Sequence, residues 1–61
     1  MTEAVEYRGF WLSIEQTPQG WRVGISSGAI HIPHHLQQVI RPEMEDAIAE
    51  AKSVIDYLIG H

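Results

Sequence analysis

The eighteen residues PEMEDAIAEAKSVIDYLI, from Pro42 to Ile59, constrain the fold more than any other part of the chain. Met44, Ala47, Ile48, Ala51, Val54, Ile55, Leu58 and Ile59 recur at steps of three and four, which places them on one wide stripe of an α-helix. Pro42 suits the first helical position, Glu43, Glu45 and Asp46 favour the positive end of the helix dipole, and Gly60 is a natural stop. A helix of this kind must bury its stripe. With 61 residues in all, the only other apolar surface of any size has to come from the segment GFWLSIEQTPQGWRVGIS.

That segment reads as a β-hairpin. Phe10, Leu12 and Ile14 alternate with Trp11, Ser13 and Glu15, and Trp21, Val23 and Ile25 alternate with Arg22, Gly24 and Ser26. Thr17-Pro18-Gln19-Gly20 supplies a proline to preset φ and a glycine to take positive φ. A four-residue loop pairs Gln16 with Trp21, Ile14 with Val23 and Leu12 with Ile25, which gathers the aliphatic side chains on one face. A three-residue loop would split Ile14 from Val23, because a slip of one residue reverses the faces of a strand.

Before Gly9 the apolar phase shifts from even to odd positions, at Val5 and Tyr7, and a glycine at such a break predicts a bulge. Ser26-Ser27-Gly28 is turn-like. Ala29–Ile32 is then expected to form a short third strand, ended by Pro33, and residues 34–41 are assigned no element. The expectation is a single α+β domain over residues 1–61, in the order β-β-β-α, with the helix packed on one sheet face. Trp11 would point from the other face, beside Ser13, Glu15, Arg22 and Ser26, with Tyr7 joining them if the bulge permits.

Composition narrows the function. A chain of this size buries only about 60% of its unfolded surface, and with no cysteine it has no disulfide or thiolate–zinc staple. Self-association is the expected source of further burial, so a homodimer is expected. Three acids balance three arginines over residues 1–41, so the whole net charge of −4 lies in the last 20 residues. This is a poor footprint for nucleic acid and suits a small basic protein as partner. No apolar run is long enough to span a membrane, and the acidic start MTEAVEYRG does not resemble a secretion signal, so a cytoplasmic protein is expected.

His31, His34 and His35 crowd into the segment HIPHH and are the candidate metal ligands. Zinc wants three or four ligands in a tetrahedron. Adjacent His34 and His35 point apart in extended chain, and no second cluster accompanies them, so neither a metal nor another cofactor is expected. The sequence also lacks a cysteine nucleophile, a GxSxG elbow, a phosphate loop and an HExxH pair. The expected function is a non-enzymatic interaction module, with Trp11, Glu43, Glu50 and Asp56 as candidate interface residues. Metal binding through His31, His34 and His35 is the alternative from another class.

Two resemblances accompany this reading. Gly20-Trp21-Arg22-Val23 and Glu45-Asp46-Ala47-Ile48-Ala49-Glu50-Ala51-Lys52 resemble short bacterial proteins with a Gly-Trp hairpin and a closing amphipathic helix. The same residues are similar to the N-terminal domain of HicB-like antitoxins, which implies a partial ribonuclease-H-like sheet and capture of a small basic toxin. The stretch SSGAIHIPHHLQQVIRPEM departs from that family, which carries P-x-L-P-G-C after the second strand and a G-D-(T/S) turn before the helix.

Overall fold

A computed structural model describes residues 2–60. Four strands form an antiparallel meander in the order β1-β2-β3-β4, and one helix follows. The strands are β1 (Thr2–Tyr7), β2 (Phe10–Thr17), β3 (Gly20–Ser26) and β4 (Gln38–Arg41), and α1 spans Met44–Gly60. The fold is α+β as the sequence predicts, with one strand more than expected.

The extra strand is β1. Its pairing with β2 runs from Thr2–Glu15 to Tyr7–Phe10, so Arg8 and Gly9 are a two-residue turn and not a bulge. Both have positive φ, 52° and 87°, as a type I′ turn requires. A two-residue turn sets odd positions opposite even ones. Val5 and Tyr7 therefore share a face with Leu12 and Phe10, and the phase shift read as a bulge is the ordinary arithmetic of a tight hairpin.

The β2–β3 pairing has the expected register, with Leu12 opposite Ile25, Ile14 opposite Val23 and Gln16 opposite Trp21. It continues one step further, to Thr17 and Gly20, which leaves Pro18-Gln19 as the turn. Gly20 has φ 131°, and a Cβ built there would lie 2.5 Å from the Arg41 carbonyl oxygen and 2.9 Å from Pro42 Cα. The turn thus abuts the corner where β4 hands over to the helix.

The predicted third strand is displaced. Residues 27–33 form an irregular crossing, and the strand that pairs with β3 is Gln38–Arg41, with Val23 opposite Val39 and Trp21 opposite Arg41. Two features divert Ala29–Ile32 from the sheet. The Ser27 hydroxyl accepts bonds from the Ala29 and Ile30 amides, at 3.2 and 3.3 Å, which turns the chain locally. Ile32 is buried nonetheless, and its carbonyl accepts a bond from the Gln37 side chain at 3.0 Å. A short 3₁₀ turn, His34–Leu36, then leads into β4.

The core is one cluster: Phe10, Leu12, Ile14, Val23, Ile25, Ile32, Val39, Ala47, Ala51 and Ile55. The helix begins two residues later than predicted, its first bond running from the Ala47 amide to the Glu43 carbonyl at 3.1 Å. Ala47, Ala51 and Ile55 are its fully buried residues. Two alanines in the centre of the stripe bring the helix backbone close to the sheet, while Ile48, Val54, Leu58 and Ile59 close the flanks.

Gly20→Ala is expected to lose about 2–4 kcal/mol of unfolding free energy, from a backbone region closed to L-residues and a Cβ driven into Arg41 and Pro42. Gly28→Ala, where an added Cβ meets nothing within 4 Å, is expected to stay within about 0.5 kcal/mol. Urea unfolding of the two variants checks this, and equal stabilities would contradict the role given to Gly20.

Candidate functional site

With the helix on one side, no other described element covers the opposite face of the sheet, and the strand registers assign its residues. Trp11 lies between Glu6 on β1 and Ser26 on β3. In the next row Ser13 lies between Ala4 and Gly24, with Gln38 beyond. In the row after that Glu15 faces Arg22, and Arg22 faces Ile40. The face is therefore a shallow trough of small residues between Trp11 on one side and Glu15, Arg22 and Ile40 on the other. Trp11 is 51% exposed and Ile40 is 43% exposed. Such an indole offers a large apolar area with one polar edge and loses little entropy when immobilised. An ion pair on this face joins Glu15 and Arg22.

Tyr7 lies elsewhere. The two-residue turn puts it on the helix side, where Lys52 Nζ sits 5.2 Å from the centre of its ring. The Tyr7 hydroxyl donates to Asp56 Oδ1 at 3.0 Å, and Arg8 Nη1 donates to the same oxygen at 2.7 Å. Arg8 holds the left-handed conformation of its turn, which costs a residue with a Cβ about 1–2 kcal/mol, and its side chain ties that turn to the helix. The Arg8 guanidinium, then the Tyr7 hydroxyl, hold the Asp56 carboxyl below its ordinary pKa.

The acids singled out in the sequence consequently differ in what they offer. Asp56 clamps the β1–β2 turn to the helix, and Glu50 pairs with Arg41 at 3.3 Å across to β4. Both are structural ties within the chain. Glu43 is exposed at the mouth of the helix, and its carbonyl accepts the first helical bond. Nothing in the sequence could show the Asp56 tie, because its partner Arg8 lies 48 positions away.

The three histidines are exposed and diverge. His31 borders a depression of about 360 Å³ with Ile25, Ile30 and Gln37. His35 borders another of about 360 Å³ with Leu36, Val54 and Tyr57, and His34 a third, of about 240 Å³, beside Gly24. Among the described residues no three His, Cys, Asp or Glu side chains converge as a metal site would need. No helix among them is long and apolar enough to cross a membrane.

Comparisons of the chain with models of known families, with curated proteins and with solved structures gave no match.

The Asp56 clamp predicts a pH signature. A carboxyl whose pKa is lowered on folding contributes stability that is present above its unfolded pKa, about 3.9, and lost as pH falls through the folded value. The wild-type chain should therefore melt higher than Asp56→Asn at neutral pH, with the difference shrinking below about pH 4. Thermal melts of both chains from pH 7 to pH 2 test this. A difference that stays constant over that range would contradict the charged clamp.

Proposed function

We propose that this chain is a non-enzymatic self-association module whose working surface is the open sheet face around Trp11. One observation carries the proposal. Among the described residues the four-stranded sheet has a helix on one side only, and the uncovered side presents a half-exposed tryptophan and an exposed isoleucine flanking a trough of Ala4, Ser13 and Gly24. Tryptophan is among the residue types that dominate binding energy when buried at the centre of an interface.

A second copy is the occupant that the charges favour. The face carries both signs, with Glu6 and Glu15 against Arg22, so it complements itself better than it complements a uniformly charged partner. The sheet edges are poor alternatives. β1 places Glu3 and Glu6 along its edge, a device that discourages strand addition, and β4 is only four residues long. The acidic outer side of the helix serves a basic partner less well than its composition suggests, since Glu50 and Asp56 are already engaged by Arg41 and Arg8.

Four strands about 4.8 Å apart and six residues of about 3.3 Å each give a plan area of roughly 400 Å² per copy. Two such faces make about 800 Å² in all, against about 1,600 Å² for a standard interface, so the dimer is a weak, transient one with a dissociation constant of about 10–100 µM. Sedimentation velocity from about 10 µM to 1 mM, a range that spans a weak, transient dimer, should show reversible dimerisation of the wild-type chain. Trp11→Ala should weaken it by about tenfold or more, as loss of a central anchor does, with helical circular dichroism unchanged. Dimerisation undisturbed by Trp11→Ala would remove Trp11 from the interface.

A further inference from the structure

The arrangement of charge and bulk on the open face also specifies how two copies would meet, an inference that rests on the self-association proposed above. We infer that the twofold axis runs along the strands, between β2 and β3, in the plane midway between the two sheets. Rotation about that axis sets β2 of one copy over β3 of the other and β1 over β4, and leaves each cross-strand row facing its own counterpart.

The consequences follow row by row from the registers. Glu15 comes to face Arg22 of the second copy, and Arg22 faces Glu15, so a single intrachain pair becomes a four-membered network of alternating sign. Ser13 faces Gly24, which lets the sheet centres approach to the ordinary spacing of about 10 Å. Trp11 faces Ser26, large against small, and the two Trp11 rings lie side by side across the axis, in position for offset stacking. Ile40 faces the beginning of β1.

The other aligned packing has its axis across the strands, and it exchanges the Trp11 row with the Glu15 row. It sets Glu15 against Trp11, a carboxylate against the electron-rich face of a ring, and it leaves Arg22 over Ser26 with no acid. Both packings bury the same residues. Only the axis along the strands sets Glu15 and Arg22 each opposite the other's charge.

Complementary charge reversal decides between them. Glu15→Arg makes positions 15 and 22 both basic, and Arg22→Glu makes both acidic. Across the proposed axis each variant meets only like charge, so each should self-associate at least about tenfold more weakly than wild type, whereas an equimolar mixture should recover heterodimers at near wild-type affinity. Across the alternative axis these positions sit about 13 Å from their counterparts, four residues at about 3.3 Å. That exceeds the screening length of about 8 Å at 0.15 M salt, so mixing should recover nothing there.

The probe is the pair of variants, one isotopically heavy, read by sedimentation and native mass spectrometry. Both side chains are exposed, so the fold should tolerate the changes, and circular dichroism checks that it does. The chain carrying both Glu15→Arg and Arg22→Glu should dimerise like wild type, which guards against a folding defect in either single variant. Single variants that dimerise normally, or a mixture no tighter than its components, would overturn the axis and leave the face standing. A wild-type chain that stays monomeric at about 1 mM, ten times or more the dissociation constant of the weak dimer proposed above, would overturn the face and the axis together.

Discussion

The helix, with Ala47, Ala51 and Ile55 buried along it, packs mainly on the sheet half formed by β3 and β4, and the rest of the molecule is arranged around that contact. All three are fully buried. Alanine at two of these positions lets the backbones approach closely, so that Val23 and Val39 on the sheet are sealed by one helix with no second layer needed on that side. The position of the helix in turn decides which residues stay outside. It covers β3 and β4 more fully than β1, so Val5 remains exposed on the helix side. The Asp56 clamp to Tyr7 and Arg8 ties the far hairpin where apolar cover is thin. At the other end Gly20 lets the β2–β3 turn press against Arg41 and Pro42, the point from which the helix departs.

One-sided packing is also the source of the functional proposal. Among the described residues one helix serves a two-faced sheet, and an antiparallel sheet tolerates water on its second face. That face need not carry a tryptophan. Trp11, Ile40 and the Glu15–Arg22 pair around a trough of small side chains give it relief and charge of both signs. Those are the properties a second copy can match by symmetry, and association would supply burial that the isolated domain lacks.

Much of this layering was legible from the chain alone, for a physical reason. The helix stripe and the alternation on either side of Pro18-Gln19 are strong periodic signals, and pairing Ile14 with Val23 is the only register that keeps the aliphatics together. That register placed Trp11 on the open face directly. The same parity holds at Arg8-Gly9, but an arginine where asparagine, aspartate or glycine is usual in a type I′ turn concealed it. Ile30 and Ile32 imitate a strand, yet Ile32 is a single plug in an irregular crossing, and the true fourth strand, QVIR, is too short for its period to stand out. Asp56 and Glu50 read as free surface acids because ion pairs between distant segments leave no trace in local pattern.

The central claim, that the uncovered sheet face is where this chain meets its own kind, is tested most directly by following backbone and indole resonances of the ¹⁵N-labelled chain on dilution. Shifts confined to Trp11, Ser13, Arg22, Gly24 and Ser26, with Ala49 and Ser53 on the outer side of the helix unmoved, are the expected result. Shifts gathered on the helix instead, or none at all between about 1 mM and 20 µM, a span that brackets the dissociation constant of a weak, transient dimer, would contradict it.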